Sequence, residues 1–568
     1  MRRALALAAL VAGWLLAAAV VAAPAFAHAT VVATDPADGG RLASSPAQVT
    51  VTFSEHVSFG SGYLRVVDSK GRRVDAGAVE HPGGDASKVT VGLRSGLPDD
   101  SYIVSYRVVS ADSHPIGGAF SFVVGDGPLV AASGQVLGGT TDPVVGAAFA
   151  ATRWLSFAGL VLLGGLAFLL LCWPAGRAVP RARRLVWAGW GAAAVAVVLG
   201  VLLQGPYAAG SGLEQMFSRP LLAATLGTAY GRMLCVRLIL LAVLAVLAVR
   251  LLADESVLPD KTRSRDEDLT AITGLGVLAT YGGAGHAASG SQPTLALLSD
   301  AAHLSAVSLW VGGLVLLTVC LLPSRRTEEI AVALPRFSRI ALGAVAVILV
   351  TGTYQSWREV GTIPALWSTR YGVLLTIKIA CFLLLVGLGN LGRVAVRRRY
   401  LTPVAHALST VDVSEIEHSE EDRILRRLRR SVGLEVAIAA VVLAVTAALV
   451  STAPARASYV RPYSATVRLA AGGTAQVSVT PARQGPNTVQ VYVFDPAGKP
   501  RDAQQVTLTA ALPAEQIGPL PLPLAKVGTG QYRSTGAVLP RPGRWALVVR
   551  VRTSEFDISV AGTEVPVR

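Results

Sequence analysis

Between residues 145 and 453 the chain passes through eight apolar runs, each about 20 residues long: 145–172, 185–205, 232–252, 268–288, 295–322, 334–354, 371–392 and 432–453. About 20 residues of helix cross the ~30 Å hydrocarbon core of a bilayer. Inside that core only the chain itself can satisfy its peptide N–H and C=O groups, so such runs have to fold as helices. The pattern predicts a multidomain membrane protein with an eight-helix transmembrane bundle over 144–453. Composition agrees: 52% of the residues are hydrophobic and 15% charged, against about 25% charged in soluble domains.

The links between runs orient the bundle. The formal net charge is +15, which taken alone would suit a nucleic-acid partner, but its distribution excludes that reading. Basic residues gather in the links 173–184, 250–267, 323–339 and 393–430, among them Arg177, Arg181, Arg183, Arg184, Arg325, Arg326 and a dense set from Arg423 to Arg430. The alternate links hold only Arg219, Arg358 and Arg370. Positive links stay in the cytoplasm. The expectation is a multi-pass protein of the cytoplasmic (cell) membrane, surrounded by lipid, with both soluble ends extracytoplasmic. Residues 1–27 agree independently. Arg2 and Arg3, the apolar stretch from Ala4 to Val21 and Ala25-Phe26-Ala27 read as a signal peptide. Cleavage after Ala27 would make His28 the first residue.

Ionisable groups are costly at membrane depth and usually mark a pathway. His286 falls near the end of the fourth run, while Asp300, His303 and Trp310 fall on one face of the fifth, at i, i+3 and i+10. His286, Asp300 and His303 are therefore the candidates for an intramembrane ion path in the outer half of the bundle. Arg237 and Lys378 are further intramembrane charges, expected to snorkel outward or to pair with Asp300. Cys235 and Met233, near the outer end of the third run, could offer sulfur to Cu(I), but a packed-core role is the expectation for both. The block also reads as two repeats. AYGRMLCVRL (229–238) matches RYGVLLTIKI (370–379), QGPY (204–207) matches TGTY (351–354), and LLGGL (162–166) matches WVGGL (310–314). Parallel repeats are a known transporter plan, with the site at the repeat interface.

The flanks are soluble in character. In 28–127, short alternating segments such as VTVTFS (49–54), YIVSYRVV (102–109) and AFSFVVG (119–125) predict an all-β sandwich. Its last turn carries Asp112 and His114, two apart and so on the same side of an extended segment. Residues 128–143, rich in Gly, Ser and Thr, form a linker. Residues 454–568 predict a second all-β sandwich with no His, Cys or Met, which argues against soft-metal binding there. The four cysteines Cys172, Cys235, Cys320 and Cys381 all lie in or at the ends of apolar runs. That excludes a disulfide framework in the exported parts.

HATVVATDPADGG from residue 28, the VTFSE strand and S-A-D-S-H-P-I-G-G (110–118) resemble the CopC copper-binding domain. The resemblance implies that His28, Asp112 and His114 hold Cu(II). A terminal histidine offers its amine and its imidazole, and nitrogen with oxygen in a tetragonal set suits that ion. The methionine-rich Cu(I) site of some CopC domains should be missing, since 28–127 contains no methionine. GHAA (285–288), DAAHLSAVSLWVGGL (300–314), FSRIALGAVAVILVTGTYQSW (337–357) and RYGVLLTIK (370–378) resemble the CopD copper-resistance family. The whole is similar to YcnJ-type CopC–CopD fusions, whose last domain is YtkA-like. This implies copper uptake across the membrane, with Cu(II) captured outside and Cu(I) a second candidate form within. The C-terminal domain then reads as a module for a periplasmic partner or for stability.

The leading expectation is a copper importer and not an enzyme. No P-loop is present to support ATP hydrolysis. The alternative is a membrane-anchored copper buffer or sensor that serves resistance without transport. A third class, with His286 and His303 as haem ligands, suits the sequence least, since the two histidines sit at different depths.

Overall fold

The computed structural model describes residues 29, 31–38, 40–58, 64–110, 115–126, 142–253, 260–283, 292–396, 414–459, 463–555 and 557–567. Its N-terminal unit holds nine strands: β1 (Val31–Asp35), β2 (Arg41–Leu42), β3 (Gln48–Phe53), β4 (Val57–Ser58), β5 (Leu64–Asp68), β6 (Asp75–Glu80), β7 (Lys88–Leu93), β8 (Asp100–Ser110) and β9 (Pro115–Val124). One sheet runs β1-β3-β7-β6. The other runs β2-β9-β8-β4, with β5 also paired to β8. Alternate residues of both sheets, such as Val49 and Val51 from one and Val104 and Phe122 from the other, share a single core. The burial period of two is what a half-buried strand requires.

The middle of the chain is helical. The helices are α1 (Pro143–Leu171), α2 (Pro180–Ala209), α3 (Arg219–Gly227), α4 (Ala229–Leu251), α5 (Asp260–Gly282), α6 (Pro293–Leu316), α7 (Thr327–Val360), α8 (Ala365–Ser368), α9 (Arg370–Val396), α10 (Ser414–Val450) and α11 (Ala455–Ser458). Helix α6 runs on through a π-turn at Leu317–Leu321 and a last turn at Leu322–Ser324. Local chemistry sets the ends. Asp142 accepts from the N–H groups of Val144 (2.9 Å) and Val145 (3.0 Å) with Pro143 at the first helical position, so α1 starts there. Gly210, at φ 68°, closes α2.

Seven helices among the described residues are long and apolar enough to cross a membrane: α1, α2, α4, α6, α7, α9 and α10. The run expected at 268–288 is the difference. It falls on α5, whose first turns carry Lys261, Arg263, Arg265, Asp266, Glu267 and Asp268, and residues 284–291 lie outside the described ones. The apolar part of α5 that is described is too short to span.

Helices α1 and α6 cross with backbones nearly touching. A Cβ on Gly164 would lie 2.2 Å from the Ser308 carbonyl oxygen, and one on Gly312 would lie 2.3 Å from that of Val161. The two GG motifs matched in sequence thus face each other, the small-residue contact by which membrane helices pack closely. The second matched motif also repeats in space. Thr228 accepts from the N–H of Gly231 (3.1 Å) and donates to Thr225 O (2.6 Å). Thr369 accepts from the N–H of Gly372 (3.0 Å) and donates to Ala365 O (2.7 Å). In both halves, then, a short helix, a threonine cap and a Tyr-Gly pair launch a spanning helix.

The C-terminal unit is β-rich: β10 (Tyr463–Arg468), β11 (Thr474–Thr480), β12 (Gly485–Phe494), β13 (Gln505–Leu512), β14 (Ile517–Leu522), β15 (Ala525–Gly528), β16 (Gln531–Leu539), β17 (Gly543–Arg552) and β18 (Ile558–Val567). Its sheets run β10-β11-β12-β16-β15 and β14-β13-β17-β18 around a core that includes Val477, Val491, Leu508 and Trp545.

Candidate functional site

Of the residues singled out in the sequence, His28, Asp112, His114 and His286 lie outside the described residues. The described neighbours of the first three converge all the same. Ala29 is 3% exposed and belongs to the core of the N-terminal unit. The start of β1 pairs with the end of β3 (Val31 with Phe53), the start of β4 pairs with the end of β8 (Val57 with Ser110), and Val109 pairs with Pro115 across the β8–β9 hairpin. These chain ends therefore share one end of the domain, where the rings of Phe53 and Tyr106 bridge the sheets with centroids 5.7 Å apart. Burial, with Asp38 adding to it, pushes the Tyr106 phenol up to about 12. It stays neutral there and serves as a packing group, not a phenolate. Arg107, on the same stretch of β8, donates to the backbone carbonyls of Tyr207 (3.2 Å) and Ala208 at the last turn of α2. Carbonyls at a helix C-terminus are unpaired and partly negative, so a guanidinium is a fitting partner.

Asp300 and His303 are described, and they share a cavity of about 200 Å³ inside the bundle. It is lined by the starts of α1, α4, α6 and α9 and the ends of α5, α7 and α10, including Thr152, Tyr230, Arg237, Tyr281, Tyr354, Gln355, Arg358, Glu359, Tyr371 and Lys378. Since α1 begins at Pro143 and α10 ends at Val450, this is the end of the bundle from which both β units depart. Trp310 does not join them. About three turns further along α6, it packs edge-on against Phe382 (6.4 Å) and lines a second cavity.

Hydrogen bonds decide the state of His303, which is 8% exposed. Its Nδ1 lies 2.9 Å from Thr351 Oγ1, and the Thr351 hydroxyl lies 2.6 Å from the Val347 carbonyl. A hydroxyl has one proton, and the carbonyl can only accept it. Thr351 Oγ1 therefore accepts from His303, and the imidazole carries its proton on Nδ1. Nε2 is left with a lone pair and no partner among the described residues. A ligating histidine is usually fixed by a bond of this kind at its other nitrogen. On the turn before, Asp300 Oδ1 accepts from Gln355 Nε2 at 2.7 Å.

The cationic groups behave differently from expectation. Arg237 neither snorkels nor pairs with Asp300. It is 5% exposed and donates to Thr280 Oγ1 (2.9 Å) and Thr280 O (3.1 Å), with its guanidinium 3.6 Å above the Tyr281 ring. Tyr281 is in turn 2.7 Å from Ser156 Oγ. Lys378 lines the cavity beside Asp300 without an ion pair to it among the described residues. Cys235 is exposed and not packed in the core, and Cys172, Cys320 and Cys381 are also free thiols. The sequence reading missed Thr351, Tyr354, Gln355 and Arg358. Their spacing at i, i+3, i+4 and i+7 is one helical face, so a polar stripe on α7 was a readable signal. Glu359 pairs with Arg358 at 3.4 Å between buried side chains.

Comparison with known proteins follows the same division of the chain. The family model for the CopC domain matches residues 31–125. That for the copper resistance protein D-like N-terminal domain matches 141–294, and that for copper resistance protein D matches 331–449. The chain is a fusion of CopC and CopD domains. Over nearly its whole length the fusion is similar to the copper transport protein CutJ of Bacillus subtilis (strain 168), with 28% identity over 548 residues that cover 94% of each chain. Copper resistance protein C of Pseudomonas syringae pv. tomato is 34% identical over 109 residues, covering 18% of the fusion and 86% of that protein. The crystal structure of CopC from Methylosinus trichosporium OB3b aligns with 27% identity and a TM-score of 0.16, covering 18% of the fusion and 95% of that chain. The fusion is thus a homologue of copper transport and resistance proteins. At its C-terminal end, where a YtkA-like domain was expected, the FixH family matches residues 463–562.

Proposed function

We propose that the fusion acquires copper across the cell membrane. In this reading the N-terminal domain, over 28–127, takes Cu(II) with His28, Asp112 and His114. It hands the ion to the cavity of Asp300 and His303, and His286 belongs to the same ion path. The apolar run 268–288 is the eighth span, and both β units are extracytoplasmic. The remaining boundaries follow: a signal peptide over 1–27, a linker over 128–143, the bundle over 144–453 and a C-terminal domain over 454–568. That last domain serves a periplasmic partner or the stability of the chain.

The observation that carries the proposal is His303. Its free Nε2 projects from a helix held close against α1, in a polar cavity at the domain-bearing end of an otherwise apolar bundle. Imidazole nitrogen and carboxylate oxygen are donors that copper accepts. The grip of Arg107 on α2 brings the β8–β9 hairpin to that same end, which suits a hand-off over a short path. The second reading, a buffer or sensor on an inert anchor, is favoured by the strong domain-level likeness to CopC alone. Radiocopper uptake separates the two. In cells that depend on this chain, His303→Ala should lower accumulation at least tenfold while membrane abundance stays the same. Unchanged accumulation would leave the buffer reading in place of import.

A further inference from the structure

The second cavity, about 460 Å³, lies at the opposite, arginine-rich end of the bundle, between the C-terminal parts of α6 and α9 and the N-terminal parts of α7 and α10. Its walls are apolar: Leu314, Leu317, Phe337, Leu383 and Val386 are representative. One ionisable side chain among the described residues lines it, Glu435 of α10. Glu435 is 3% exposed, and among the described residues its carboxyl group makes no hydrogen bond or ion pair. Its Oε2 lies against α9, 3.6 Å from where a Cβ on Gly389 would stand. In sequence it is seven residues past Leu428, where the apolar stretch of α10 begins, or ~10 Å into the membrane at helical rise.

The described charged groups on the elements packed around α10 lie elsewhere. Arg153 of α1, Asp300 and His303 of α6, and Lys378 of α9 belong to the other cavity. Arg336 and Arg339 of α7 are exposed and do not line this one. On α10 itself, Arg426, Arg429 and Arg430 are nearer the N-terminal end, with Arg429 and Arg430 exposed. No described cation balances the carboxylate. An unpaired, unsolvated carboxylate among hydrocarbon side chains is far more costly than the acid.

We propose that Glu435 is a proton-binding site of the bundle. While the cavity is dry the side chain is the neutral acid. When water reaches it from the arginine-rich end, the O–H bond breaks, the proton leaves to that water, and a carboxylate remains. No oxidant, reductant or metal takes part. A site of this kind gives a chain without a nucleotide-binding loop a means to couple movement to a proton gradient. Only that last point, what the proton is coupled to, rests on the import reading.

The test uses the full-length protein in detergent and in vesicles. Dicyclohexylcarbodiimide adds to a protonated carboxylic acid and rearranges to a stable N-acylurea, seen by mass spectrometry as an adduct on the peptide holding Glu435. Labelling should occur at pH 6 and fall at least fivefold by pH 9. Glu435→Gln should lose the adduct while keeping its melting temperature. In proteoliposomes carrying a copper gradient, the pH dependence of uptake should vanish in Glu435→Gln and persist in Glu435→Asp. Failure to label Glu435 in folded protein at pH 6, or labelling that is flat with pH, overturns the site. Labelling as expected together with undiminished uptake in His303→Ala would sink the import reading and leave the proton site standing.

Discussion

When Gly164 is aligned with Gly312, Thr152 of α1 corresponds to Asp300 of α6, and Leu155 corresponds to His303. Tyr230 and Arg237 of α4 likewise correspond to Tyr371 and Lys378 of α9. Thr152, Asp300, both tyrosines and both cations line the same cavity, so it sits where the two halves meet. The halves share a frame: facing GG motifs, threonine-capped Tyr-Gly starts and a cation at the same depth. Their chemistry has diverged. In the first half the cation is consumed internally, since Thr280 and Tyr281 take up Arg237. In the second half, among the described residues, Lys378 has no ion pair to Asp300 and His303 Nε2 has no partner. Repetition accounts for the scaffold, and two substitutions in one copy account for the candidate site.

Five substitutions probe that contrast. The largest effect is expected from Gly312→Leu, because the new Cβ would strike Val161 O, a backbone atom that cannot swing aside. The crossing shared by both halves should open, with a loss of at least ~3 kcal/mol or no folded protein at all. Gly343→Ala, where nothing lies within 4 Å of the new Cβ, should be neutral. Thermal melting in detergent compares the two, and equal melting would mean that the GG contact does not hold the halves together. Next, Arg237→Ala should cost about 2–3 kcal/mol, the worth of charge-assisted hydrogen bonds in a buried site. Lys378→Ala should shift stability by less than ~1 kcal/mol while changing copper uptake severalfold. If both variants melted alike, the division into a spent and an available cation would fail. The smallest effect is expected for Thr351→Val. It keeps the shape but frees His303 Nδ1, so copper affinity should fall about tenfold without a change in melting. Calorimetric titration of purified protein measures it, and an unchanged affinity would remove Thr351 from its positioning role.

Much of the fold was legible because its signals are one-dimensional. A run's length decides whether it can span, alternation decides a strand, and the D-x-H spacing of Asp112 and His114 together with His28 carried the likeness to CopC. The fourth run shows where this breaks down. Its apolar residues begin inside a helix whose first turns are charged, so length and composition over the described residues do not make it a span. Trp310 shows another limit. Its spacing put it with Asp300 and His303, but ten residues of helix are ~15 Å of depth, enough to carry it into a different cavity.

By itself the sequence determined the membrane bundle, the two β flanks and the candidate residues Asp300 and His303, since polarity per residue is enough to say what must leave water and what resists leaving it. Tertiary structure alone decided which nitrogen of His303 bears the proton, that Arg237 is spent on Thr280, that the repeated halves close on each other through glycine, and that Glu435 stands without a partner among the described residues. Each of these depends on what a side chain meets across a helix interface. Such meetings join residues tens to hundreds of positions apart, and no local pattern encodes them.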